Sequence, residues 1–170
     1  MTHYYRLLLH QCRYINVATI TKTKDGEIEP HCSILFFHVA DGKIYWTSRR
    51  GARHSKNILE NPSVFITLFE ENVKEGTGSG KGLYLKGQVH VLTDAKEVEA
   101  AKILSTEKAN RDRRPWEVLK AESASNFLND SILAVYCFTP EEAWTNTWHH
   151  SVGDERVSLD LDLVFLGKQK

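Results

Sequence analysis

The chain has 170 residues, a length that suits one domain whose core needs neither disulfides nor metals. Lys+Arg and Asp+Glu are equal at 22 each, which excludes a protein held to nucleic acid by its overall charge. No apolar run approaches the roughly 20 residues of a bilayer span, and His3, Arg6, His10 and Arg13 interrupt the first segment, so neither a membrane anchor nor a signal peptide is read and the cytoplasm is expected.

Tyr5, Leu8, Leu9 and Cys12 recur at helical spacing and predict a short helix over residues 2–13. Tyr14–Thr23 is β-branched and reads as a strand. Asp25-Gly26 turns it into a second strand, about Ile28 to Val39, and Asp41-Gly42 turns that into a third, Lys43–Ser48. These three are expected to form an antiparallel meander. Arg49–Glu60 reads as a loop entering a short helix that Asn61-Pro62 stops. Ser63–Glu70 is the next strand. A glycine-rich loop, Glu75–Gly82, leads into a strand with Leu83, Leu85, Val89 and Val91 on one face and Tyr84, Lys86, Gln88 and His90 on the other. Gly87 falls among the inward positions, where either a barrel bends or another backbone approaches closely. Thr93-Asp94 caps a helix over about Ala95–Lys108, and Pro115 starts a second one carrying Trp116 and Phe127, both expected to pack on the strands. Ser131–Phe138 reads as a strand, Thr139–Glu142 as a turn, and Ala143–Trp148 with Val157–Phe165 as a last hairpin. Six to eight short strands with few helices make a mainly β (α+β) chain, an antiparallel barrel decorated by helices, in a single domain over residues 1–170.

One stretch carries chemistry. Arg49, Arg50, Arg53 and Lys56, with His54, lie within eight residues that contain no acid. Thr47 and Ser48 precede them at a strand end, and a helix follows. Hydroxyls, first-turn N–H groups and cationic side chains together make an anion site. Tyr45 and Trp46 stand beside it, suited to flank a flat ring. The bland alternative is a solvated basic turn.

The run from Val17 to Phe69, with Gly80–Asp94 and Phe138–Asn146, resembles the pyridoxamine 5′-phosphate oxidase-like FMN-binding split-barrel family. The shared pattern is a strand, an Asp-Gly turn, a strand after Pro, a strand ending in Thr/Ser, a basic helix start, then Asn-Pro and another strand. The resemblance implies an antiparallel split β-barrel of six to eight strands with flanking helices. It also implies flavin mononucleotide held at the interface of a homodimer. Carried over by position, Thr47, Ser48, Arg53, His54 and Lys56 meet the phosphate. His31, Cys32, Ser33 and Ile34 run beside the isoalloxazine edge, Trp46 lies between, and Trp144 and Asn146 reach over from the partner chain. The implied function is an FMN-dependent oxidoreductase acting on a small molecule. Its hydride or electron chemistry rests on the flavin, with no catalytic side chain assigned. A non-catalytic flavin or haem carrier, and a deazaflavin-dependent reductase, use the same barrel.

Departures from the oxidase bear on the substrate. His31 and Phe36 stand where the oxidase brings Arg and Lys to the flavin, and Arg53-His54 stands for its Arg-Lys pair. The oxidase's Arg-x-His substrate signature is absent, so vitamin B6 oxidation is not the expected activity. Gly76–Gly82 is not a nucleotide-binding P-loop: Glu75 and Gly82 fail its pattern, and a strand follows where a helix is required. His149 and His150, adjacent on a strand, point to opposite faces and do not make a chelating pair. Arg111, Arg113 and Arg114 are interspersed with acids and read as a surface turn. Cys12, Cys32 and Cys137 contain no CxxC pair and read as reduced, partly buried thiols.

Overall fold

The β-branched run after Tyr14 forms strand β1 (Tyr14–Lys22), whose alternate residues Ile15, Val17 and Thr19 are buried. The structure is a computed structural model and describes residues 2–69, 82–111, 123–149 and 153–166. Ahead of β1 lies helix α1 (Thr2–Gln11), which buries Tyr5, Leu8 and Leu9 as its spacing requires. Gly26 takes φ 83° in the first turn, and β2 (Ile28–Phe36) returns antiparallel along β1 from Lys22↔Ile28 to Tyr14↔Phe36. Asp41 and Gly42 both have positive φ, 49° and 75°, the requirement of a two-residue primed turn. That turn joins β3 (His38–Ala40) to β4 (Lys43–Arg49).

The meander expected from these strands does not form. Ile28–Val39 is not one strand: Phe37, fully buried, breaks it between β2 and β3. The β1–β2 and β3–β4 hairpins then separate to opposite ends of one antiparallel sheet. Its order is β2-β1-β5-β6-β7-β4-β3, with β5 (Ser63–Phe69), β6 (Gly82–Val91) and β7 (Leu133–His149) between them and β8 (Gly153–Leu159) paired to β7. A sheet of this length curls, because twisted strands accumulate rotation. The result is a curled, half-barrel sheet with flanking helices: the strand count anticipated a barrel, and the family resemblance its split form.

Thr139–Glu142 is not a turn. It lies inside the 17-residue β7, where the register against β6 shifts between Lys86 and Gly87. A Cβ on Gly87 would collide with the Thr139 carbonyl oxygen, so only glycine admits β7 this close. Pro140, which has no N–H to donate, sits where β7 changes neighbours, pairing with β4 up to Phe138 and with β8 from Ala143. The bulge also reverses the pleat. Ala134, Tyr136 and Phe138 face the main core before it, and Ala143 and Thr145 are the buried positions after it. Trp144 and Asn146 thereby fall on the other face, both half-buried.

The C-terminal run expected as strand through Phe165 ends at Leu159. Asp160 then caps a short helix, α4 (Leu161–Phe165), by accepting from Asp162 N–H at 2.9 Å. Helix α2 (Arg53–Glu60) follows β4, and α3 (Ala95–Arg111) follows β6 with Asp94 accepting from Lys96 and Glu97 N–H. A 3₁₀ turn (Ala124–Phe127) buries Phe127 with Leu92, Val98, Ala101, Val135 and Cys137 on the outside of β7. Phe127 thus packs on the barrel, though on a 3₁₀ turn rather than a long helix. The expected helix start at Pro115, Trp116, Arg113, Arg114, His150 and the loop up to Lys81 lie outside the described residues. Cys12 and Cys137 are buried, but Cys32 is exposed, against the expectation of three at least partly buried thiols. Among the described residues no helix is long and apolar enough to cross a membrane.

Candidate functional site

The sequence holds two local hydroxyl–imidazole pairs, His31 with Ser33 and Ser48 with His54, and the curled sheet brings the pairs together. Ser33 comes from β2, Ser48 from the end of β4, and His54 from the first turn of α2. The His54 ring lies between the hydroxyls, with Nδ1 3.0 Å from Ser33 Oγ and Nε2 2.7 Å from Ser48 Oγ. Ser33 Oγ is in turn 3.1 Å from His31 Nε2. His54 therefore links β2 to β4, strands from the two ends of the sheet. Only 7% of His54 is exposed. Burial, and secondly the neighbouring His31, lower its pKa, so the ring is neutral at physiological pH. A neutral imidazole has one donor and one acceptor; one serine hydroxyl donates to it and the other accepts from it.

A second layer, not anticipated from sequence, supports this cluster. Buried Asn57 donates from Nδ2 to Thr19 Oγ1 at 3.0 Å, and Thr19 donates to the His31 carbonyl at 3.4 Å. Asn57 lies three residues after His54, on the same face of α2, and that spacing was the available signal.

Helix α2 begins at Ala52, which offers no side-chain cap, and carries no acid in its first turn. Its N-terminal N–H donors and dipole therefore present a positive end without a capping oxygen. Arg53 and Lys56 are exposed around it. Arg53 pairs with Glu29 on β2 at 2.5 Å; both side chains are nearly half exposed, and such pairs contribute little. Arg50 does not join the anion site. Its guanidinium donates to the Ser131 and Phe127 carbonyls, fastening the segment after β4 to the 3₁₀ turn.

The other expected site residues divide by face. Thr47 is half-buried opposite Val135, on the face away from Ser48, because neighbours on a strand alternate. Trp46 is 1% exposed and stacks on Tyr136 in the core, with centroids 5.8 Å apart; it flanks nothing outside this chain's interior. Cys32 and Ile34 point outward from β2, and Ile34 is 70% exposed. Ile34 borders a shallow cavity of about 220 Å³ with Tyr14, Asn16 and Phe69. Trp144, half-buried, stacks on Phe65 at 6.1 Å, while Arg156 covers Tyr84 at 4.5 Å. The register sets Asn146 opposite Arg156. One outer face thus runs from Ile34 on β2 through Phe65 and Tyr84 to Trp144 and Arg156.

The comparisons with known proteins bear on the fold. Among curated protein sequences none matches the chain. Solved structures with the same architecture include a haem-binding protein from Mycobacterium smegmatis, 12% identical, with a TM-score of 0.67, covering 98% of this chain and 60% of that one. A FAD-binding protein from Mesorhizobium loti is 16% identical, with a TM-score of 0.59 and coverage of 84% and 91%. An F420 reductase is 17% identical, with a TM-score of 0.57 and coverage of 82% and 94%. At these identities the likeness is one of fold. The family model described as pyridoxamine 5′-phosphate oxidase matches residues 1–126, and the chain belongs to that family.

Proposed function

We propose that the chain is one subunit of a homodimeric FMN-dependent oxidoreductase acting on a small molecule. The observation that carries this reading is the start of α2: a helix N-terminus with no side-chain cap, no acid in its first turn, and exposed Arg53 and Lys56 beside it. A phosphomonoester supplies the charge and acceptors that such a terminus attracts. His54 acts here as a positioning residue: buried between two hydroxyls, it orients Ser48 for the phosphate rather than meeting the phosphate as an exposed cation.

The flavin supplies hydride and electron transfer when bound. The chain's own residues hold its phosphate at α2, line its ring with the β2 segment His31–Ile34, and exclude water with a second copy laid over the outer face. Trp144 and Asn146 stand on that face, as a contribution across the dimer requires. Exposed Ile28, Ile34 and Phe69, at 64%, 70% and 59%, supply apolar area for the association. The exposed free thiol of Cys32 suits a reducing compartment, and we place the protein in the cytoplasm.

The test is the absorption spectrum of the purified protein and of the double variant Arg53→Ala/Lys56→Ala. A yellow wild type that bleaches on reduction, and a folded variant retaining less than about a tenth of the FMN, support the reading. Equal retention overturns the phosphate assignment. A Soret band on adding haemin, with no flavin retained, supports a haem carrier instead. Turnover with a nicotinamide donor separates an enzyme from a flavin carrier.

A further inference from the structure

We propose that Ser48, His54, Ser33 and His31 form one hydrogen-bonded relay whose direction an anion at Ser48 reverses, so that His31 Nδ1 is a hydrogen-bond acceptor only when the α2 terminus is filled. The inference rests on the phosphate reading above. It adds a response at the other end of the same site, where the β2 segment is read as lining the ring.

The contacts make an unbroken line. His31 Nε2 lies 3.1 Å from Ser33 Oγ, Ser33 Oγ 3.0 Å from His54 Nδ1, and His54 Nε2 2.7 Å from Ser48 Oγ. A serine hydroxyl has one proton, and a neutral imidazole has one. With the Ser33 proton kept in the line, all three contacts are hydrogen bonds in only two arrangements. In the inward one Ser48 donates to His54 Nε2, His54 Nδ1–H donates to Ser33, and Ser33 donates to His31 Nε2. The neutral His31 ring then carries its proton on Nδ1. In the outward one every role is exchanged: His31 Nε2–H donates to Ser33, Ser33 to His54 Nδ1, and His54 Nε2–H to Ser48. The Ser48 proton is then free for a ligand, and His31 Nδ1 is bare. Reversal moves three protons one place along the line. Solvent returns one to Ser48 and takes one from His31 Nδ1, so the count is unchanged. Ser48 and His31, the two ends, are both half-buried and so reach solvent.

Charge at α2 sets the direction. Ser48 is bonded to His54 in the first turn of a helix with no side-chain cap and no acid there, and Arg53 and Lys56 are exposed beside it. Glu29 offsets part of the Arg53 charge and leaves Lys56 and the helix end. Beside a positive end, a hydroxyl turns its oxygen toward the charge and its proton away, here to His54. The empty site therefore holds the inward arrangement. An anion reverses the preference, because Ser48 then donates to it. His54 is 7% exposed, so water does not break the line at its centre. At the far end a bare Nδ1 accepts from an N–H or O–H, whereas a protonated one does not.

The experiment reads the histidine tautomers by nitrogen-15 NMR in the intact chain freed of flavin. It is run at about pH 8, above the ordinary imidazole range. Spectra are compared without and with saturating inorganic phosphate, whose binding is followed by phosphorus-31 line broadening, and with sodium chloride at equal ionic strength. The expected result is that His31 and His54 both exchange Nδ1–H for Nε2–H on adding phosphate, and neither does with chloride. In Ser33→Ala, which removes the middle hydroxyl, His31 should cease to respond, and Ser33→Thr should restore the response. If Ser33→Ala misfolds, the wild-type tautomers decide. Three results overturn the relay while the phosphate reading survives: Nε2–H tautomers already present without phosphate, bound phosphate with unmoved tautomers, or an undiminished His31 response in folded Ser33→Ala. Phosphate that does not bind overturns both.

Discussion

Glu29 holds Arg53 at the edge of the α2 terminus and competes with any phosphate for it. The pair is half exposed, so the competition is worth little. Glu29→Gln should tighten FMN binding by about 1.5- to 5-fold, measured by fluorescence quenching of the free flavin. Asn57 matters through Thr19 and the His31 carbonyl. Asn57→Leu leaves Thr19 without its donor and should cost about 1–3 kcal/mol in urea unfolding, with loosened FMN retention as the functional sign. His38 sets an acid limit. Its pKa is lowered from 6.5 to about 3 by burial first and by Lys108 and Lys102 after it. The folded state therefore binds fewer protons than the unfolded one. The stability from the neutral ring is complete above about pH 6.5 and is lost progressively as pH falls toward about 3. Between about pH 7 and about pH 5 the wild type should lose about 2 kcal/mol more than His38→Leu, read from urea midpoints at the two values.

At the scale of elements, the bulge in β7 decides which side chains reach the outer face. The carbonyl of Thr139 fills the space a Gly87 side chain would need, and that carbonyl belongs to the backbone. Gly87→Ala should destabilise by about 3 kcal/mol or more and lower the thermal midpoint accordingly. Should it stay folded, the displaced bulge should expose Trp144, seen as a red shift of tryptophan emission. The primed turn at Asp41-Gly42 is a milder case. Gly42 has φ 75° but open space around its Cα, so substitution there costs conformational strain without a clash.

For the whole molecule, the sheet leaves one broad face, from Ile34 to Trp144, without a covering layer among the described residues. The flavin site as proposed is incomplete without a second copy there. A stable dimer needs about 800 Å² from each partner. Ile34→Lys with Phe69→Lys places charge on the exposed apolar end of that face, at β2 and β5, and should yield a monomer by light scattering that has lost FMN. A monomeric variant that keeps its flavin would contradict an interface site.

Local chemistry was legible in the sequence wherever one residue or one period decides the structure. Helix α1, the two Asp-Gly turns, the alternation of β6, and the basic start of α2 all follow from neighbouring residues. The family resemblance added the split barrel and the flavin reading to them. Pairing partners were not legible. The break at Phe37 sends two hairpins to opposite ends of the sheet, and the bulge opposite Gly87 makes one strand of an expected hairpin and turn. Thr47 facing away from Ser48, Trp46 entering the core, and Arg50 bonding to the 3₁₀ turn depend on which strand lies alongside. So does the meeting of His31, Ser33, Ser48 and His54. The reason is physical: turns and periodicity are short-range steric properties of the chain, whereas register and side-chain convergence are set by which distant surfaces bury each other most completely.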